Sequence, residues 1–346
     1  MPSTQDMELA KTAHVIINEI CKVKPGEDVL ITIDSVADFR PAEETGKAAQ
    51  AAGGRVMVAW HSTPKGYGKM ADPKLPDSLR AAIPNTDVWI EFNNQWLLYS
   101  SGWEVAMSGS RVRYAFFGGM NTDQMVRCVG NVNIKRQAAF QNKLVAMTHH
   151  AKKMRITTPA GTDVSFDNGG RPVTNELYAD VPGPHFLLGQ IGWAPIEESI
   201  DGTVVFDGSF SGGGEADLGI LKEPAVLRVE KGVIKAIEGG EEAKTVRRWL
   251  EGLNDPKMYH LAHVCYGFNP GARLSGLCTE DERVWGSTEW GMGFQGPMFK
   301  GKLGSAISHA DGICLNSSVW MDGVQITDQG KITHPELVQL AANLTL

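Results

Sequence analysis

Ser305-Ala-Ile-Ser-His309-Ala-Asp311-Gly312-Ile-Cys-Leu315 is a short apolar run without proline, and it reads as a buried strand. His309 and Asp311 interrupt it at i and i+2. On a strand both side chains leave the same face, their Cα atoms roughly 6–7 Å apart, whereas a helix would send them to opposite sides. Burying unpaired polar groups costs several kcal/mol. The pair therefore either satisfies itself through a His–Asp hydrogen bond or serves a ligand. Two further stretches bear on the choice. Leu261-Ala-His263-Val-Cys-Tyr-Gly-Phe-Asn-Pro-Gly271 is another apolar run with a single histidine, ending in a turn. Gly286-Ser-Thr-Glu289-Trp-Gly-Met-Gly293 places one acid in a glycine-rich, aromatic segment. Two imidazoles and a carboxylate with open positions suit non-haem Fe(II), and catalytic Zn²⁺ uses a similar set. Glu289 fits as a fourth ligand, as an acceptor for an imidazole N–H, or as a salt-bridge partner of Arg283 or Arg273.

The chain outside these stretches is ordinary and acidic. It has 346 residues, 42% hydrophobic and 21% charged, enough for two domains and a cavity. A net charge of −7 argues against nucleic acid or an anionic membrane as the main partner and leaves small molecules open. No apolar run approaches the length of a membrane span, and the first residues lack a signal peptide's basic and apolar regions. Cys21, Cys128, Cys265, Cys278 and Cys314 are odd in number and scattered, as expected of reduced thiols in a cytoplasmic protein.

The first part of the chain alternates helix and strand. Residues 7–22, Ala42–Ala52, Pro76–Ile83 and Ile134–Ala151 carry helical patterns. Val29–Ile33, Arg55–Trp60, Asp87–Phe92 and Arg111–Phe117 read as strands. This β-α-β order predicts a parallel, flavodoxin-like sheet. From about Lys152 strands and glycine turns dominate, with Glu241–Leu253 as one clear helix. The expected division is an N-terminal α/β domain over 1–151 and a β-rich α+β metal-binding domain over 152–346.

Several motif classes are absent. No GxGxxG follows a strand, Gly46-Lys47 lacks the rest of a phosphate loop, and Gly208-Ser-Phe-Ser-Gly212 is not a nucleophile elbow. Glu176 and His185 lie in a Pro/Gly-rich stretch predicted as a loop, where site residues tend to sit. Trp96, Tyr99 and Trp103 follow a strand end, a place for a ligand or for an oligomer contact.

The C-terminal half resembles the M29, or aminopeptidase T, metallopeptidases through Asp201-Gly-Thr-Val-Val, Val233-Ile-Lys-Ala-Ile, Tyr266-Gly-Phe-Asn-Pro, the Glu282…Gly286…Gly293 block and His309-Ala-Asp311. Lys24-Pro-Gly-Glu-Asp-Val-Leu extends the likeness towards the N-terminus. That family carries glutamate where His263 stands and histidine where Glu289 stands. The departure is similar to a second family on the same fold, the 2,5-dihydroxypyridine 5,6-dioxygenases, whose His…His-x-Asp motif matches His263, His309 and Asp311. This resemblance implies one Fe(II), O₂ and a hydroxylated pyridine or related aromatic substrate, with extradiol-type ring cleavage and a homo-oligomer. It makes His185, Glu176 and Glu289 candidates for acid–base work. Tyr266, Phe268, Arg283, Trp290 and Phe294, with Tyr99 and Trp103, become candidates for substrate contact. The alternative is an M29-type aminopeptidase or other hydrolase using Zn or Mn.

Overall fold

The computed structural model describes residues 4–175 and 177–346. They form two compact units, one of residues 4–132, 177–188 and 345, the other of residues 133–175, 189–344 and 346.

The first unit is built on a five-stranded parallel sheet. Its strands, Arg55–His61, Asp28–Asp34, Val88–Glu91, Arg113–Phe116 and Gly183–Phe186, lie in that spatial order. Numbered along the chain this is 2-1-3-4-5, the flavodoxin-like arrangement. Val88–Glu91 and Arg113–Phe116 are buried along their whole length, and Asp28–Asp34 and Val88–Glu91 are Val/Ile-rich, as suits parallel strands covered on both faces. Helix Phe39–Ala51 makes the crossover between the first two strands.

Two expectations need correction here. The segment containing His185 is not a loop: Gly183–Phe186 pairs with Arg113–Phe116 and completes the parallel sheet. The units also do not divide at residue 151. Helix Ile134–His150 belongs with the second unit because its buried amides have their partners there. Gln137 Nε2 donates to the Phe268 carbonyl at 2.8 Å, and Gln141 Oε1 accepts from the Gly189 amide at 2.9 Å.

The second unit stacks two antiparallel sheets. The eight-stranded one runs Val233–Glu238, Ala225–Glu230, Asp201–Phe206, Asp163–Asp167, Lys153–Thr157, Ser318–Met321, Val324–Asp328, Lys331–Ile332. The seven-stranded one runs Asp217–Ile220, Ser209–Ser211, His309–Cys314, Ser287–Gly293, Leu261–Gly267, Gln190–Trp193, Val173–Thr174. Its three central strands are buried along their whole length. They are the three stretches singled out from the sequence, although the strand begins at His309 and leaves Ser305–Ser308 outside it. Every second side chain points into the gap between the sheets: Trp290 meets Phe166 edge-on at 5.6 Å, and Trp193 lies 4.6 Å from Tyr266. The remaining residues face the other way.

Candidate metal centre

That other face carries His263, Cys265, Glu289, Gly291, His309 and Asp311. Strand register sets the geometry. His263 pairs with Gly291, Gly291 with Asp311, and Asp311 with Ser211, so one row crosses four strands. Strands are spaced about 4.8 Å apart, which holds the His263 and Asp311 backbones about 10 Å from each other. Gly291 between them has no side chain, and a Cβ there would stand 2.2 Å from Cε1 of His263. The imidazole lies in the space that any larger residue would fill.

The polar tips then converge. His309 Nε2 is 3.0 Å from Asp311 Oδ1, His263 Nε2 is 3.8 Å from the same oxygen, and His263 Nε2 is 3.3 Å from Glu289 Oε2. The two imidazole rings are near parallel, 14° apart with centroids at 5.1 Å, and Phe299 stacks on His263 at 4.9 Å. All four polar residues are buried. Neither Glu289 oxygen nor Asp311 Oδ1 receives a hydrogen bond. Two overlapping groups adjoin this one, His263–Cys265–Glu289 and Cys278–Glu282–Asp311. The Cys278 thiol is 3.2 Å from Glu282 Oε1 and 3.8 Å from Asp311 Oδ2. Glu282 is paired with Arg283 and also accepts from Gln190 Nε2 at 3.0 Å.

Burial shapes the protonation states. It pushes the His263 imidazole down to about 4, with the neighbouring His309 adding to the effect. Burial works against a charged His309 as well, but Asp311 outweighs it and holds that imidazole above its ordinary value. The Glu289 carboxyl is pushed up to about 7, first by burial and then by Glu282. Asp311 and Glu282 are raised chiefly by burial.

The donor set fits a divalent metal. Three buried carboxyl groups stand beside one guanidinium, and carboxyl oxygens without hydrogen bonds lie against imidazole nitrogens. Such an arrangement is costly unless a cation sits among it. His263, His309 and Asp311 would hold that ion, with Glu289 beside it.

The other sequence candidates are dispersed. Tyr266 and Trp290 point away from this face into the core between the sheets, as strand alternation requires. Phe268 packs with Phe140 and Trp285. Phe294 follows the Ser287–Gly293 strand, its amide donating to the Ser308 carbonyl at 3.0 Å. Arg283 lies beside the centre through Glu282 and donates to Gln190 Oε1 at 2.5 Å. Tyr99 and Trp103 belong to the first unit, where they are buried against each other with ring centroids at 5.1 Å. His185 is in that unit too. It is buried, its Nε2 is 2.7 Å from the Val181 carbonyl, and burial lowers its pKa. Glu176 lies outside the described residues. Sequence reasoning missed Cys265, Cys278, Gln190, Gly291 and Phe299. Cys265 and Gly291 had a visible signal, each two positions along a strand from His263 or Glu289 and so on the same face.

Comparisons with known proteins bear on the fold and the family. The solved structure of 2,5-dihydroxypyridine dioxygenase from Pseudomonas putida KT2440 superposes with a TM-score of 0.76 at 20% identity, covering 97% of this chain and 99% of that one. Wild-type AmpT from Thermus thermophilus gives 0.68 at 15% identity, covering 95% and 99%. The fold is therefore the one expected from the sequence, common to an M29 aminopeptidase and a dioxygenase. In sequence, the 2,5-dihydroxypyridine 5,6-dioxygenase of Pseudomonas putida KT2440 is 25% identical over 349 residues, 93% of this chain and 95% of that one. The profile of the NicX family, 2,5-dihydroxypyridine 5,6-dioxygenase, matches residues 13–334. The chain belongs to that family.

Proposed function

We propose that this protein is an Fe(II)-dependent dioxygenase that opens the ring of a hydroxylated pyridine, with 2,5-dihydroxypyridine as the reference substrate. The observation that carries the reading is the buried His263–His309–Asp311 cluster on one sheet face, in a chain of the 2,5-dihydroxypyridine 5,6-dioxygenase family. Two imidazoles and one carboxylate form the donor set of non-haem Fe(II) oxygenases, which leaves open positions for substrate and O₂. When bound, such an ion supplies the route by which electron density passes from a deprotonated ring hydroxyl to oxygen.

The chain's own groups do the rest. Glu289 is the acid–base group best placed by geometry: its oxygens are buried, free of hydrogen bonds and 3.3 Å from a ligand imidazole. It is positioned to take the hydroxyl proton as substrate binds and to return a proton as the O–O bond breaks. Phe299, stacked on His263, walls the centre on one side and limits water there. Arg283 and Gln190 orient Glu282 and keep it from competing for the ion. The five cysteines are all free and buried, which suits a reducing, cytoplasmic setting. Among the described residues no helix is long and apolar enough to cross a membrane.

The deciding experiment loads anaerobically purified protein with Fe(II), counts iron per chain, and follows O₂ uptake on addition of 2,5-dihydroxypyridine and related rings. One iron per chain with substrate-dependent uptake is the expected result. Two Zn or Mn ions per chain with peptide cleavage and no uptake would move the protein to the hydrolases.

A further inference from the structure

We propose that strand Arg55–His61, one free edge of the parallel sheet, pairs antiparallel with the same strand of a second copy of this chain. The inference is independent of the reading of the metal centre. Among the described residues this strand is hydrogen-bonded on one side only, to Asp28–Asp34. The Arg55 amide donates inward to the Glu27 carbonyl. Alternation therefore turns the main-chain N–H and C=O groups of Val56, Val58 and Trp60 outward. A row of unpaired main-chain groups is a template for another strand, and sheet edges are normally blunted by lysine, proline or a bulge. Val56-Met-Val-Ala-Trp60 has none of these.

The sequence is complementary to itself. A two-fold axis through Val58 sets Val56 against Trp60, Val58 against its own copy, and Met57 against Ala59. The three outward-facing residues then meet as hydrogen-bonded pairs, each exchanging two bonds, about six in all. Trp60 against Val56 is an aromatic–β-branched cross-strand pair, of the kind that stabilises sheets, and Met57 against Ala59 sets a large residue beside a small one.

The area is of the right size. Val36, Phe39, Met57, Val58 and Trp60 are 66, 42, 48, 37 and 67% exposed. Phe39 and Trp60 already touch, with ring centroids at 5.9 Å. Together these side chains expose on the order of 500 Å² per copy, over half of the ~800 Å² each partner buries in a standard interface. Pairing of the main chain and of helix Phe39–Ala51 across the axis adds to that. Val36, Phe39, Val58 and Trp60 gather beside the strand edge, and Met57 lies on its other face; exposed apolar area of this kind is often functional.

The test uses the full chain at micromolar concentration. The mass of the assembly, measured by light scattering or sedimentation, is expected to fall twofold in Trp60→Glu and in Val58→Lys, with an unchanged circular dichroism spectrum. Val58→Cys supplies the second measurement. The hydrogen-bonded pair on the axis would hold its two Cα atoms about 5.5 Å apart, within disulfide range. The native thiols are all buried, so oxidation should give a covalent dimer of Val58→Cys and none of Val338→Cys, an exposed control elsewhere. A monomeric wild type, unchanged mass in both charge variants, or no covalent dimer from Val58→Cys would each overturn the proposal.

Discussion

His263 Nε2 and Asp311 Oδ1 approach to 3.8 Å although their strands are not neighbours; the strand between them places Gly291 in the same row. Two polar groups thus meet over a position where the chain has no side chain. The consequences of that relationship can be measured.

Gly291→Ala would put a methyl 2.2 Å from the His263 ring. The imidazole must rotate away or the strands must separate. Overpacking of this kind costs about 1–3 kcal/mol, and displacing a ligand lowers metal affinity further. Chemical denaturation and iron content on one sample should both fall. Wild-type iron content in the alanine variant would show that His263 is not a ligand.

His263→Ala, His309→Ala and Asp311→Ala should each lose iron and O₂ uptake by more than about 100-fold, since even groups that only orient ligands contribute 10–100-fold. Far-ultraviolet circular dichroism should stay as in the wild type, because each change removes a buried group that lacks full hydrogen bonding.

Tyr266→Phe and Trp290→Phe separate the two faces of the strands. Both side chains lie in the core between the sheets. The expected outcome is a modest drop in Tm with KM for the ring substrate unchanged. A large rise in KM would mean that these rings reach the substrate after all.

Arg283 is the buried cation beside Glu282. Arg283→Met leaves that carboxylate without its counter-charge, and breaking a buried pair in this way costs about 3–5 kcal/mol. Adding Glu282→Gln should restore most of the loss, as urea denaturation of the single and double variants would show.

Acid stability has a separate origin. Burial alone would raise Glu197, but Arg171, which grips both oxygens at 2.6 and 2.7 Å, the Lys302 amide and Gln295 bring it down to about 2. A carboxyl lowered on folding stabilises fully above its unfolded value of 4.5 and loses that contribution as pH falls through about 2. The contribution is about 3 kcal/mol at neutral pH. In Glu197→Gln, stability should be lower at pH 7 and should decline less steeply than in the wild type between pH 4.5 and 2, where the other lowered carboxyls, Asp87 and Asp163 among them, still contribute.

Much of this protein follows from local pattern. The alternation of apolar runs with Gly/Pro breaks placed the N-terminal strands and helices within a few residues, because parallel strands covered on both faces read as continuous Val/Ile stretches. His309 and Asp311 were legible as a pair because a strand's two-residue period needs no knowledge of the rest of the fold. What only the tertiary structure decided depends on contacts between residues distant in the chain. Gly183–Phe186, weak as a strand by composition, becomes one because the edge of the Arg113–Phe116 strand offers it partners. Tyr266 and Trp290 lie close in sequence to His263 and Glu289, and the same two-residue period sends them to the opposite face. The meeting of His263 with Asp311 across Gly291 arises from the register of three strands, which is set by side-chain packing over whole sheets and by no single segment.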